Sequence, residues 1–372
     1  MNEKLLHTPL CDLLDIRYPV LLAGMGGAST PELAAAVSNA GGLGILGAAA
    51  VGPEELHEWI ARTRKLTDKP FGVDTLLPST VPSGGTTQKF RAELPQGHID
   101  FAKEFKRRHG LPDIDPNRRR GRAMAFSRDF FNQQIQVVLD EKVPVYVAGL
   151  GDPGFMVKEA HARGMKVMAI AGAIKHARRF VDSGVDIIVA QGTDGGGHNS
   201  RIGTIVLVPQ VVDAVRPTPV VAAGGIADGR GLVAALALGA VGVWCGTPFL
   251  ATPESGIEDF QKDVLVEASS EDTVVTRSLS GKPVRMLKNK WAEEFDASGL
   301  KPLPMPFQGL ISMPLYEMAR QAGRKDVAPG IAGQSVGFTK KIRPAREIVE
   351  EIVAGAIEIL GRDFPSTVRF GA

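Results

Sequence analysis

Short apolar runs alternate with helix-length amphipathic segments along most of this 372-residue chain. The apolar runs are continuously hydrophobic, as strands are when helices cover both faces of their sheet. This alternation predicts repeated βαβ units and a parallel sheet. Eight runs have the composition and length of such strands: residues 19–24, 42–47, 71–77, 143–149, 166–171, 185–191, 219–224 and 240–246.

The segments between these runs carry helix start and stop signals. Thr30 followed by Pro31 predicts an N-cap and a first helical residue. Asp228 is the expected cap of a later helix, which Gly239 ends. Pro344 is expected to begin a last helix with an isoleucine-rich face.

Eight strands and a late closing helix favour a (β/α)8 TIM barrel over an open sheet. We assign the barrel to residues 1–78, 131–252 and 338–372, and a smaller substrate or lid domain to residues 253–337. Residues 79–130 form a further insertion after the third strand. Both insertions leave from carboxyl ends of strands, where barrel enzymes build their sites. A surface elaboration and an oligomer contact remain the alternatives for each.

Composition excludes several classes of function. The net charge of +2 does not support a dedicated nucleic-acid binder. The two cysteines, Cys11 and Cys245, form neither a metal-ligand spacing nor a disulfide framework. No signal-peptide pattern and no bilayer-length apolar stretch occurs. We therefore expect a cytoplasmic protein that acts on a small molecule without a metal ion.

The run from Ala190 to Ser200 reads Ala-Gln-Gly-Thr-Asp-Gly-Gly-Gly-His-Asn-Ser and follows a predicted strand. Its glycines let the backbone approach a bound group closely. His198 has the side chain whose ordinary pKa lies nearest neutrality. This arrangement predicts a cofactor lying on the backbone with His198 as a base beside it. Asp194 could orient His198, act as a carboxylate in its own right, or make a turn.

Glycine-rich loops also follow three other predicted strands. Loops after the seventh and eighth strands form the usual phosphate site of a TIM barrel, because their amides attract an anion. The phosphate-binding candidates are Gly224, Gly225, Gly246 and Thr247. The loop Gly24-Met25-Gly26, after the first strand, could lie against a flat ring. A barrel with phosphate-binding loops favours FMN as the cofactor. Pyridoxal phosphate would need a lysine at the carboxyl end of a strand, whereas Lys166 begins its strand.

Together these segments resemble the nitronate monooxygenase family, formerly called 2-nitropropane dioxygenases. The similar motifs are Ala-Gly-Met-Gly-Gly at 23–27, Gln-Gly-x-x-x-Gly-Gly-His at 191–198, Ala-Ala-Gly-Gly-Ile-Ala-Asp-Gly-Arg at 222–230, Gly-Thr with Phe-Leu-Ala-Thr at 246–252, and Ala-Gly-Gln-Ser at 332–335. The resemblance implies an FMN-bound barrel in which His198 abstracts the proton next to a nitro group or lies beside a nitronate. It also implies that Gln191, Gly196 and Gly197 line the flavin and that the Met25 backbone contacts its ring.

The chain departs from the family pattern at Asp74. The third strand of the family usually ends Phe-Gly-Val-Asn, and here it is Phe-Gly-Val-Asp. We place Asp74 among the cofactor-binding residues, with one hydrogen-bond donor fewer and an expected negative charge beside the flavin. Residues 193–195 and the insertion at 79–130 are also atypical, and these departures concern the choice of substrate more than the flavin.

These motifs and the resemblance are consistent with three functions. The first is oxidation of alkyl nitronates, or of a similar acidic-carbon substrate, by O2. The second is an NAD(P)H-dependent FMN reductase of enoyl-thioester or quinone type, since FMN-dependent enoyl-acyl-carrier-protein reductases resemble the same motifs. There, Arg118–Arg120 with Lys106, Arg107 and Arg108 could meet a coenzyme A or carrier-protein phosphate, although a solvated loop is the simpler interpretation. The third is a non-catalytic flavin-binding protein; a homo-oligomer is possible for all three.

Overall fold

The computed structural model describes residues 6–77, 87–115 and 127–368. Strands in these ranges are numbered in chain order: β1 (Val20–Leu22), β2 (Gly44–Gly47), β3 (Phe71–Leu76), β4 (Val145–Leu150), β5 (Lys166–Ala171), β6 (Ile187–Gln191), β7 (Gly197–His198), β8 (Val220–Ala223), β9 (Gly242–Cys245), β10 (Thr273–Thr276) and β11 (Val284–Leu287). Eight of them form one parallel sheet in the order β1-β9-β8-β6-β5-β4-β3-β2.

The two ends of this sheet meet, which closes the barrel. Leu21 pairs with Leu43 just before β2. The Leu22 N–H donates to the Leu43 carbonyl at 2.9 Å, and the Leu43 N–H donates to the Val20 carbonyl at 3.0 Å. The predicted (β/α)8 TIM barrel is therefore confirmed, and each strand end lies within two residues of the expected position.

Helices surround the barrel and extend the chain beyond it. Their bounds are α1 (Pro9–Leu14), α2 (Pro31–Asn39), α3 (Pro53–Leu66), α4 (Thr87–Ala92), α5 (Gln96–Arg108), α6 (Arg128–Asp140), α7 (Gly154–Ala162), α8 (Ile174–Asp182), α9 (Thr204–Val215), α10 (Gly229–Ala237), α11 (Thr247–Leu250), α12 (Asp259–Glu267), α13 (Lys290–Ala297), α14 (Phe307–Gln321), α15 (Ala345–Glu358) and α16 (Phe364–Thr367). Across the ranges that the structure describes, no helix combines the length and apolarity needed to cross a membrane.

The predicted helix caps are present. The Thr30 hydroxyl accepts from the Leu33 N–H at 3.4 Å, at the start of α2. The Asp228 carboxylate accepts from the N–H groups of Arg230 and Gly231 at 3.0 and 3.2 Å, at the start of α10. Because these donors would otherwise lack partners, each cap stabilises its helix by about 1 kcal/mol.

Side chains alternate between two cores along the barrel strands. Leu21, Met168 and Val189 point into the barrel and fill it, while α1 closes one end with Leu10 and Leu14. Neighbouring strand residues point outward and pack against the helices. A filled barrel has no pore, so a ligand must bind at its mouth.

A second, three-stranded antiparallel sheet lies beside the barrel, in the order β10-β11-β7. None of its strands was predicted from the sequence. β7 has two residues, one of them glycine, and its partner among the described strands, β11, lies far along the chain. Local strand propensity is weak there, so tertiary pairing decides the conformation.

The two predicted insertions pack against each other in their described parts. Phe105, on α5 in the first insertion, is fully buried against Trp291 on α13 in the second. Their rings meet edge to face, with centroids 5.2 Å apart. Leu111 and Phe295 belong to the same cluster. The domain boundaries stay a prediction, but helix α5 lies on the second insertion.

Candidate active site

The carboxyl ends of the barrel strands bring several predicted site residues together. A Cβ built on Gly24 would lie 2.3 Å from the Asp74 Oδ2, and one built on Gly149 would lie 2.4 Å from Oδ1. The carboxyl group of Asp74 therefore occupies space that only glycines leave open. On the other side of this loop, a Cβ on Gly246 would lie 3.1 Å from the Met25 Sδ.

The backbone of Met25 is engaged in its own turn. Its N–H donates to the Ser29 Oγ at 3.1 Å. Its carbonyl accepts from the N–H groups of Ala28 and Ser29 at 3.0 and 2.9 Å. The half-buried thioether is thus the part of Met25 that faces the loop after β9. Gly26 is less constrained, because a Cβ built on it would come no closer than 3.8 Å to its nearest neighbour, the Ala49 Cβ.

The loops after β8 and β9 form an open set of donors. Gly224 and Gly225 have φ values of +99° and +75°, which favour glycine strongly. Within the described chain, the N–H groups of Gly224, Gly225 and Gly246 have no hydrogen-bond partner. The Thr247 hydroxyl accepts from the Gly333 N–H at 2.9 Å, which leaves its own hydrogen to donate. Such a cradle of backbone donors suits a phosphate group.

His198 lies on β7, opposite Val284 of β11. Its Nε2 is 2.8 Å from the Ser280 Oγ, and its carbonyl accepts from the Gln191 Nε2 at 2.9 Å. Burial, with a smaller contribution from the Lys282 ammonium, lowers the pKa of His198 to about 4. The imidazole is therefore neutral near pH 7 and can accept a proton.

Asp194 makes a helix cap. Its Oδ2 accepts from the Thr204 N–H, the first residue of α9, at 2.8 Å. Its backbone carbonyl accepts from the Gln334 N–H at 2.9 Å. A carboxylate at a helix N-terminus is stabilised by the helix dipole. The partner of the His198 ring is Ser280, so of the three roles left open for Asp194 the structural one fits the geometry.

Gly196 and Gly197 have a packing reason as well as the predicted cofactor role. A Cβ on Gly196 would lie 2.7 Å from the Gly333 N, within the Ala-Gly-Gln-Ser run at 332–335. Gly197 has a φ of +73°. The glycine run and the late motif are thus in direct backbone contact.

Asp74 is almost completely buried, with 5% of its surface exposed. Burial raises its pKa well above the ordinary value, and a hydrogen bond from the Gly149 N–H opposes this only in part. No cationic partner faces it in the described ranges. These conditions oppose the negative charge expected from the sequence and favour the neutral carboxylic acid, whose O–H is a hydrogen-bond donor.

Sequence reasoning missed three residues around His198. Ser280 contacts its ring, and Lys282 lowers its pKa. Arg285 is buried; its Nε donates to the Thr193 carbonyl and its Nη1 to the Thr273 Oγ1, both at 2.9 Å. The signals in the sequence were a turn, Ser280-Gly281-Lys282-Pro283, and an arginine in an apolar run, but neither reveals which strand they approach.

The described part of the basic stretch is compensated by carboxylates. Arg108 pairs with Glu294 at 2.7 Å, and Arg107 pairs with Glu104 at 2.6 Å. Lys106 pairs with Asp113 at 2.5 Å. These pairs support the interpretation of a solvated surface. Arg118–Arg120 lie outside the described residues.

Comparison with known proteins identifies the family of this chain. Residues 7–355 match the family model described as nitronate monooxygenase. The chain is 40% identical to a candidate monooxygenase of Mycobacterium tuberculosis, over 96% of this chain and 98% of that one. Among solved structures it is similar to nitroalkane oxidase from Streptomyces ansochromogenes, with 31% identity, a TM-score of 0.78 and coverage of 95% of this chain and 99% of that one.

It is also similar to FabK from Thermotoga maritima, with 33% identity, a TM-score of 0.77 and coverage of 97% of this chain and 99% of that one. The match extends over nearly the whole chain in each comparison. The chain therefore belongs to the nitronate monooxygenase family of oxidoreductases.

Proposed function

We propose that this protein is an FMN-dependent oxidoreductase that oxidises an alkyl nitronate, or another substrate with an acidic carbon, and uses O2 as the oxidant. The observation that carries the proposal is the state of His198. It is a half-buried imidazole, neutral at physiological pH and held by Ser280, and it directly follows the glycine run after β6. Family membership supports the redox class of the reaction.

The residues present fit FMN. The N–H groups of Gly224, Gly225 and Gly246, with the Thr247 hydroxyl, would hold its phosphate. The loop 24–26 and the run 191–197 would border the ring, where the O–H of Asp74 can replace the amide donor that the family usually carries. When bound, FMN supplies an electron acceptor that O2 can reoxidise.

His198 would take the proton from the carbon next to the nitro group of a neutral nitroalkane. Because its pKa is about 4, the imidazole is already unprotonated at neutral pH and needs no prior loss of a proton. A substrate that is already a nitronate has lost this proton, and His198 would then lie beside the anion. General-base catalysis of this kind contributes about 10²–10⁴-fold.

The similarity to FabK favours a second candidate, an NAD(P)H-dependent FMN reductase of enoyl-thioester or quinone type. In that function His198 would position substrate or relay a proton. One anaerobic experiment separates the candidates: the FMN-loaded protein is mixed in turn with NADH, NADPH and propyl-2-nitronate while flavin absorbance is followed. Bleaching by the nitronate alone supports the proposal, and bleaching by a nicotinamide supports the reductase. Bleaching by none of the three leaves a non-catalytic flavin-binding protein or a substrate outside this set.

The His198→Asn variant tests the base directly. It should keep FMN bound and slow turnover of a neutral nitroalkane by about 10²–10⁴-fold. His161→Asn is the matched control, since His161 lies on α7 and bonds Asp186 at 2.9 Å, away from the barrel mouth. Full activity of His198→Asn with the true substrate would exclude His198 as the base.

A further inference from the structure

The turn between β10 and β11 places one hydroxyl group on the candidate base. The Ser280 Oγ lies 2.8 Å from the Nε2 of His198, although the two residues are 82 positions apart in the chain. In the ranges that the structure describes, the other ring nitrogen, Nδ1, has no hydrogen-bond partner. The imidazole is therefore held through one nitrogen only.

Ser280 lies in a turn that is fixed on both sides. The carbonyl of Ser278 accepts from the Trp291 Nε1 at 3.0 Å and from the Gln308 Nε2 at 2.7 Å. The next carbonyl accepts from the Ser312 hydroxyl. These bonds are buried, so the turn keeps its geometry and Ser280 cannot easily leave the ring.

The same segment also holds the backbone of His198. β11 pairs with β7, and Val284 is opposite His198. The Asn199 N–H donates to the Pro283 carbonyl at 3.3 Å. Main chain and side chain of the base are thus both fixed by residues 280–285, outside the barrel itself.

Two longer contacts to the Lys282 backbone allow the Ser280 hydroxyl to act as an acceptor toward His198. Its oxygen is 3.5 Å from the Lys282 carbonyl, toward which its hydrogen can point, and 3.4 Å from the Lys282 N–H. With its hydrogen turned to that carbonyl, the oxygen accepts from the Nε2–H of His198. A neutral imidazole has one N–H, so this arrangement leaves the lone pair on Nδ1.

We propose that Ser280 is a positioning residue for His198: its hydroxyl holds the ring through Nε2–H and leaves Nδ1 to exchange a proton with the substrate. The inference rests on the proposed function of His198 as the base. It makes the β10–β11 turn a part of the active site, not only a cover over it. In catalytic and metal-binding histidines generally, an acceptor on one ring nitrogen fixes the tautomer and leaves the other nitrogen to react.

The tautomer of His198 tests the inference without any turnover. The FMN-loaded protein is labelled with ¹⁵N-histidine, and the His198 signals are assigned by their loss in His198→Asn. We expect the Nε2–H tautomer in the unmodified protein and in Ser280→Thr, and a mixture or the Nδ1–H tautomer in Ser280→Ala. An Nδ1–H tautomer in the unmodified protein, or no change in Ser280→Ala, overturns the inference.

Kinetics give the second readout. Loss of the partner that fixes a functional imidazole costs about 10–100-fold, so Ser280→Ala should lower kcat by this factor with a smaller change in KM, and Ser280→Thr should restore most of it. Ser298→Ala is the matched control, because Ser298 is exposed at the end of α13 and its hydroxyl donates to the Phe295 carbonyl of its own turn. If Ser280→Ala does not fold, Ser280→Cys keeps the size with a weaker acceptor and should show the same changes in smaller measure.

The outcomes separate this inference from the proposed function. Full activity of His198→Asn would contradict the proposed function, whatever Ser280→Ala does. Loss of activity in His198→Asn, together with an unchanged kcat and tautomer in Ser280→Ala, would contradict the positioning role alone.

Discussion

The buried carboxyl group of Asp74 should make the protein less stable as pH rises, and Asp74→Asn should remove that dependence. Asp74 is 5% exposed and lies between Gly24 and Gly149 with its pKa raised by burial. Asparagine has nearly the same shape, does not titrate and is the residue that the family usually carries here. The substitution therefore isolates the effect of Asp74 protonation on stability.

The sign and size follow from proton linkage. In the unfolded chain an aspartate has a pKa of about 3.9, and in the folded protein this pKa is higher, so above about pH 4 the folded state binds more protons. The contribution of Asp74 is complete below about pH 4 and is lost as pH rises toward the native pKa. In that interval the stability of the unmodified protein relative to Asp74→Asn falls by about 1.4 kcal/mol per pH unit.

Urea unfolding of both proteins at a series of pH values from about pH 4 upward measures this difference. Asp68→Asn is the matched control, because the Asp68 side chain is 84% exposed and its substitution should leave the slope unchanged. Asp74→Asn should also retain FMN, since its amide donates where the acid O–H does. Parallel stability curves for the unmodified protein and Asp74→Asn would refute the assignment of a neutral acid.

Three further predictions concern the base, the phosphate loop and the packing of the insertions. The kcat/KM for a neutral nitroalkane should stay flat through neutral pH and fall only near the His198 pKa of about 4; an acid limb near the ordinary histidine pKa of about 6.5 would contradict the burial argument. Gly224→Ala should cost about 1–2 kcal/mol of stability and weaken FMN binding, because Gly224 has a φ of +99° and its Cβ would lie 2.8 Å from the Thr204 Oγ1. Gly203→Ala is the control: its Cβ would enter open space, so it should do neither. Phe105→Ala should lower stability by about 3–5 kcal/mol in urea unfolding, and an unchanged midpoint would show that α5 does not depend on its contact with Trp291.

Local sequence patterns predicted the barrel because its strands and caps are local features. The apolar runs identified all eight barrel strands, and Thr30 and Asp228 were found as caps from their own residue types. The sheet β10-β11-β7 was missed, because Gly197 and His198 become a strand only through pairing with a distant segment. No local pattern reports such a partner.

The candidate site divides in the same way. His198 and the loops after β8 and β9 could be found from residue type and position at strand ends. The contact of Ser280 with His198 could not, since it spans 82 positions. The neutral state expected for Asp74 follows from its burial between two glycines, which the sequence alone does not show.

The central claim is that the barrel mouth binds FMN, and the absorbance spectrum of the purified protein tests it most directly. We expect a yellow protein with about one FMN per chain, or an apoprotein that takes up riboflavin 5′-phosphate at that ratio and binds it more weakly after Gly224→Ala. A colourless protein that does not bind added riboflavin 5′-phosphate would contradict the account.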